Sequence, residues 1–360
     1  MNSFLKLKEK SDLIPKNNIG YVYFMTEKDL FGNPSGPYVK IGRVKSNEEG
    51  RSSIDRRKEH QTGNPRQIIV LDEVNTYASD STLESIVHQR LANFRIHGEW
   101  FIYGDDGIKP YVDLTKKINK NLEAEFNNEN LLEKLSAIED NGEEISPCSE
   151  SEDIHQDLLK LKLELQKIKI RKELAGIKLK SFNQKRCQNI DGICTFEKSK
   201  PVEKFDKKSF EKDFPQIFDK LSKSSINSKL SIKKDIKSSE NNELNKIKAL
   251  IDSQSFDEKL ISTNLGRDDY SIALHKEWID AHVEIQPYEF KKKFYENKLK
   301  LIIGEKMGIQ NICSWKRKLS KKISKTDLKN YDQKLASKYI KLGEGIVRFK
   351  INDYRPYPFS

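Results

Sequence analysis

No stretch of this 360-residue chain approaches the ~20 consecutive apolar residues that a membrane-crossing helix needs. The opening residues, MNSFLKLKEKSD, lack the apolar core of a secretory signal. Cysteine is scarce as well. Cys148, Cys187, Cys194 and Cys313 are scattered, and six residues separate the nearest pair, too many for a zinc knuckle. These absences argue against a membrane protein and a metal- or disulfide-stapled scaffold, and point to a reduced, cytoplasmic protein. Apolar residues are short too: 36% hydrophobic against 34% charged. That share cannot bury every residue, so linkers and exposed helix are expected.

Basic charge is what the chain has in excess, +11 overall. Its distribution is uneven: about +2 over residues 1–100, about −7 over 101–150 and about +16 over 151–360. A basic region of that size points to a polyanion, most simply nucleic acid. The competing explanation is a coding bias that inflates Lys, Asn and Ile throughout.

Two strand patterns come first, GYVYFM (20–25) and YVKIGRV (38–44), joined by turn-forming TEKDLFGNPSGP. A polar, helix-compatible stretch, SNEEGRSSIDRRKEHQ, leads into the breaker TGNPR and a third strand, RQIIVLDEV (66–74). STLESIVHQRLANF (81–94) predicts an amphipathic helix capped at Ser81 or Thr82, with Leu83, Ile86, Val87, Leu91 and Phe94 on its apolar stripe. GEWFIY and a helix from KPYVDLTKKINKNLEAEF close a unit of residues 1–120. Residues 137–153 read as an acidic linker, 153–185 as a basic helix or short coiled coil, 186–255 as a flexible Lys/Ser-rich linker, and 256–360 as a basic C-terminal α+β module. The 153–180 heptads could pair two subunits. The whole is expected to be α+β.

Alternation sets Tyr21, Tyr23 and Met25 on one face of the first strand, and a hairpin brings Tyr23 beside Lys40. An ammonium next to a phenol favours the phenolate, which suits a general base. Arg56 and His60 are one helical turn apart, and Glu84 stands one turn before His88 on the helix after the third strand. Together these make a phosphodiester-cleaving set. One carboxylate can hold a hydrated Mg²⁺, an arginine can neutralise the phosphorane, and tyrosine or histidine can take a proton from water. His88 and His97 read as packing and surface residues, Trp100 and Phe101 as core, and Tyr21 as either core or site edge.

Over residues 20–103 the sequence resembles the GIY-YIG nuclease family. The first half-motif falls on Gly20 and Tyr21-Val22-Tyr23, the second on Lys40-Ile41-Gly42. Arg56, HQTGNP (60–65), LESIVHQRL and GEWF bring it nearest the phage-type branch. The resemblance implies a small three-stranded antiparallel sheet flanked by helices, and a metal-dependent DNA endonuclease of phage or mobile-element type. It implies Tyr23 as general base, Lys40 supporting it, Arg56 stabilising the scissile phosphate and His60 relaying a proton. Glu84 would bind Mg²⁺ or Mn²⁺, and the products would carry a 5′-phosphate and a 3′-hydroxyl. Arg43 and Arg57 would touch nucleic acid. Two departures stand out: the late asparagine of some branches has no clear counterpart, and the insertion before Arg56 lets Arg51 or Arg57 take its place.

Residues 270–352 resemble, more weakly, the tail of YqaJ-type phage recombinases and exonucleases, through LHKEWIDAHVEI, KLKLIIGEKMGI, SWKR and RFKI. The catalytic core that precedes this tail in those enzymes is absent, so only a small accessory module is implied. Lys316, Arg317, Lys318, Lys321, Lys322 and Arg348 are candidate phosphate contacts, with Trp315 packing. The competing function is a catalytically weak nucleic-acid-binding or interaction protein on the same scaffold, acting in recombination or phage defence.

Overall fold

The computed structural model describes residues 20–45, 52–62, 64–76, 80–184, 189–234, 242–252 and 263–357. The polar lead-in of residues 1–19, and with it Arg51, Gly63 and Cys187, lies outside the described residues.

The β-rich sequence runs form β1 (Gly20–Glu27) and β2 (Tyr38–Val44), followed by α1 (Ser53–Gln61), β3 (Ile68–Thr76) and α2 (Asp80–Arg90). Then come β4 (Arg95–His97), β5 (Trp100–Ile102) and the 28-residue α3 (Lys109–Ser136). The strands make one sheet in the order β3-β1-β2-β5-β4. The three expected strands are there, and the HGEW turn folds two short ones onto their edge. β1 is flanked by strands and covered on both faces, which is why GYVYFM carries no charged residue. Val22, Phe24, Val39, Ile41 and Phe101 meet Leu83 and Val87 of α2, Leu91 just beyond its end, and Tyr111 and Val112 of α3 in the main core. On the opposite face Tyr21, Tyr23, Met25, Val44 and Ile68 form a smaller cluster. Helix α2 starts at Asp80, one residue before the expected cap positions Ser81 and Thr82.

The rest of the chain continues with β6 (Glu144–Ile145), α4 (Ser149–Gln184), β7 (Asn189–Ile190), β8 (Cys194–Lys198), β9 (Glu203–Phe205), α5 (Lys207–Asp213), α6 (Pro215–Leu221) and β10 (Lys223–Ile232). After α7 (Asn242–Asp252) and β11 (Asn264–Leu265) comes α8 (Asp269–Ile303), then β12 (Gly308–Ile309), β13 (Cys313–Lys322), α9 (Lys325–Tyr331), α10 (Gln333–Tyr339), β14 (Ile340–Leu342) and β15 (Val347–Ile351).

Helices α4 and α8 are 36 and 35 residues long and form the spine. They run antiparallel: Tyr295 donates to Asp157 at one end, Arg171 meets Glu284 further along, and Lys172 donates to His282 Nδ1 at 2.8 Å. Of the heptad residues Leu158, Leu161, Leu165 and Ile168, Leu161 is half-buried, while Leu158 packs with Leu299, and Leu165 and Ile168 with Ala281 and Ile285; Leu179, further along α4, meets Leu274. The apolar seam that could have paired two subunits is therefore covered within the chain.

Much of the segment expected to be a flexible linker is ordered. Ser/Lys-rich β10 pairs residue for residue with β13, from Lys223 opposite Lys322 to Ile232 opposite Cys313. Its Leu230 and Ile232 reach the core of Trp315 and Ile309. Phe210 and Phe218 of α5 and α6 pack with Leu328 and Ala336 in a core of their own. The SWKR and RFKI strands expected in one module lie in different sheets, β13 beside β10 and β12, β15 beside β8.

Candidate active site

Register puts Tyr23 opposite Gly42 and Lys40 opposite Met25. Tyr23 and Lys40 are thus diagonal neighbours on one face of the sheet. A glycine at position 42 is a steric requirement: a Cβ there would strike the Tyr23 hydroxyl and sit 2.6 Å from Cζ. The buried phenol lies across the space a side chain would fill.

Helix α1 delivers the next two groups. Ser52 caps it through a reciprocal box with Asp55. At its far end Gln61 donates from Nε2 to the carbonyls of Asn64 and Arg66, both at 2.8 Å, and accepts from Ile68 N at 2.8 Å. Asn64 in turn donates to Glu27 at 2.6 Å. The HQTGNP stretch is therefore a structural splice that fixes α1 to the ends of β1 and β3. So held, His60 places Nε2 3.1 Å from the Tyr23 hydroxyl, and Arg56 hydrogen-bonds the same phenol while pairing with Glu59 at 2.5 Å.

The electrostatics correct one expectation. Lys40 does not make Tyr23 a phenolate: its ammonium pairs with Glu99 at 2.5 Å. Burial pushes the phenol up to about 12, against the opposing hydrogen bond and charge of Arg56. His60 moves the other way. Burial, then the charges of Lys40 and Arg56, hold it below its usual value, so it is neutral at pH 7. In the tautomer with its proton on Nδ1, a neutral His60 accepts the hydrogen of the protonated phenol at Nε2. Burial alone would raise Glu99, but the hydrogen bond and charge of Lys40 outweigh it and keep the carboxylate ionised.

Glu99, from the GEWF stretch, is the site residue that sequence reasoning missed. Its partner is 59 positions away; the available signal was a charged residue inside an otherwise apolar motif.

Glu84 approaches from α2, which covers the other face of the sheet. It pairs with Arg43 Nε at 2.8 Å, and Arg43 stands opposite Val22 on that face. Its charge still reaches Tyr23, where it adds to the upward shift. His88 is a packing residue, as expected. It donates to Ile41 O at 2.9 Å, lies 5.1 Å from the Phe101 ring, and is pushed down to about 4 by burial. Tyr21 is buried beside Ser53 and Glu73, and its phenol is held far above its usual range by that burial.

The C-terminal candidates divide. Arg317 is fully buried: it donates to the carbonyls of Leu135 at 2.8 Å and Lys306 at 3.0 Å, and stacks 4.2 Å over Trp315. It is a structural tie, not a phosphate contact. Trp315 is core, its indole donating to Ser228 at 2.6 Å. Alternation along β13 explains both, since Cys313, Trp315 and Arg317 share the inner face while Lys316 and Lys318 face outward. Lys322 and Arg348 are exposed, and Lys321 is paired with Asp219 at 2.7 Å. Arg57 is half-buried on α1.

Among the described residues no group of three or more His, Cys, Asp or Glu side chains is arranged to hold a metal ion, and no helix is long and apolar enough to cross a membrane. No curated protein and no solved structure matches the chain. A family model, the T5orf172 domain, matches residues 20–131, from the first residue of β1 into α3. The match covers the whole candidate site and less than a third of the chain.

Proposed function

We propose that the protein is a metal-dependent endonuclease of the GIY-YIG type, phage-related, that hydrolyses DNA phosphodiester bonds. The observation that carries this reading is the meeting of His60 and Arg56, from one helix, at the Tyr23 hydroxyl of a strand, with Lys40 the diagonal neighbour on the next strand. That arrangement moves a proton. Neutral His60 accepts the Tyr23 hydrogen as the phenol oxygen takes one from an attacking water, so tyrosine relays and histidine is the terminal base. This exchanges the roles suggested by the resemblance, because a phenol near 12 is a weak source of phenolate at neutral pH. Arg56, already bonded to the phenol oxygen, is placed to meet charge growing on the phosphorane. Lys40, held by Glu99, adds to the burial that lowers His60 and supplies positive potential.

Glu84 is the residue that would hold Mg²⁺ or Mn²⁺. A lone carboxylate suits a hard cation that keeps most of its water shell. The cation would supply charge neutralisation at the leaving oxygen. Arg43 now pairs with that carboxylate, and would be the residue left to meet phosphate were Glu84 to hold a cation. Exposed Lys316, Lys318, Lys322 and Arg348 supply sequence-independent backbone contacts.

The Arg43–Glu84 pair also favours a second reading, a scaffold that binds nucleic acid without turnover in recombination or defence. Incubating the purified chain with supercoiled plasmid in Mg²⁺, Mn²⁺ or EDTA separates the two. The nuclease reading expects nicked or linear product with either metal and none in EDTA. A plasmid that is shifted on a gel but never cut supports the scaffold instead.

A further inference from the structure

The turn between β1 and β2 exposes two large apolar side chains at its tip, Leu30 at 102% and Phe31 at 89% of their full accessible surface. It is a built structure rather than slack chain. Asp29 Oδ1 accepts from Phe31 N at 2.9 Å and Asn33 N at 2.8 Å, Asp29 N donates to Asn33 O, and Gly32 takes a φ of 83°. Lys28 bridges to Pro34, and Ser35 N donates back to Glu27 O at 2.8 Å. Turn tips usually carry small polar residues. Holding a leucine and a phenylalanine in water on a rigid turn has no folding benefit.

Both stems of this turn line a cleft of about 320 Å³, walled by the rings of Tyr38 and Trp100 and edged by Glu27, Ser35, Arg66 and His97. Trp100 stands opposite Lys40 in the sheet, so the cleft adjoins the candidate active site on the same face. Aromatic walls with a few acceptors and donors suit a nucleobase. Arg66 has its side chain 60% exposed beside Glu27, which places a cation at the mouth for a phosphate.

We propose that Leu30 and Phe31 form a wedge that enters the base stack of duplex DNA, and that the Tyr38–Trp100 cleft receives the base displaced next to the scissile phosphate. Apolar wedges unstack a base step at an energetic cost that is recovered by the contacts the opened step permits. The proposal rests on the nuclease reading above and names how that site engages its substrate.

Permanganate oxidises unstacked thymines, so it tests the wedge whatever the target sequence is. The full chain is bound to closed circular plasmid in EDTA, treated with permanganate and mapped by primer extension. The same preparation is then assayed for cutting in Mg²⁺. Protein-dependent reactive thymines are expected beside the positions cut in Mg²⁺. They should fall to the protein-free level in the Leu30→Ser, Phe31→Ser double variant, compared at protein concentrations that give the same gel shift; its fold is kept because neither side chain is packed in it. Cutting without any reactive thymine, or reactivity that survives in the variant, overturns the wedge and leaves the nuclease reading standing. A plasmid neither bound nor cut removes both.

Discussion

At the residue scale the site depends on two opposed shifts, a phenol pushed up and an imidazole pushed down. Tyr23→Phe should slow cleavage on the order of 10²–10⁴-fold, with DNA affinity little changed in a gel shift. If His60 must be neutral to accept the proton, cleavage should be full at pH 7 and fall away as pH drops through its lowered value, read from a pH–rate profile. Glu99 opposes that lowering, so Glu99→Gln should move the acid limb of the rate profile to still lower pH. An unmoved limb would take His60 out of the role of base. Tyr23, Lys40, Arg56 and His60 were legible from order and spacing, but their charge states were not. A hairpin places Lys40 near Tyr23, yet nothing local reveals burial or a carboxylate 59 positions on. Arg317 was misjudged for a related reason: a run of basic residues hides the alternation that turns one of them inward. Arg317→Ala leaves two carbonyls without their donor and a void beside Trp315. It should cost on the order of 2–4 kcal/mol in denaturant unfolding and leave the salt dependence of DNA binding unchanged.

Among elements, the sheet and helix α1 act as one positioning device. Gly42→Ala drives a methyl into the Tyr23 ring. It should destabilise by about 1–3 kcal/mol and reduce cleavage as severely as removing the hydroxyl, a combination measured by thermal unfolding alongside plasmid cutting. β1, β2, β3 and α2 could be read from periodicity because each buries a continuous stripe of its own, and the long α4 from its length and helix-favouring residues. β10 could not, since its serines and lysines are ordered by the ladder to β13 rather than by apolar residues of their own. The two-residue strands β6, β7, β11 and β12 escape sequence reading for the same reason.

Across the whole molecule the N-terminal sheet is not a free-standing unit. Gln89 of α2 donates to the α8 carbonyl of His282 at 2.9 Å, and Phe290 packs against the N-terminal core. The chain's last segment returns to the same place: Asp353 pairs with Arg95 at 2.7 Å and Arg355 N donates to Arg95 O at 2.9 Å, tying down the strand next to Glu99. DNA affinity is therefore better dissected by charge removal than by truncation. Replacing Lys316, Lys318 and Lys322 with Gln should lower the log–log salt slope by about 0.9 for each phosphate that is no longer neutralised, while the metal-dependent cleavage rate at saturating protein stays near that of the parent. The most direct measurement is cleavage of supercoiled plasmid by the parent chain and by Glu84→Gln, side by side in Mg²⁺ and in EDTA, with binding followed by gel shift. A metal-dependent endonuclease predicts cutting by the parent in Mg²⁺ alone, and none by Glu84→Gln despite equal binding. Cutting that persists in EDTA, or that Glu84→Gln retains, would contradict it.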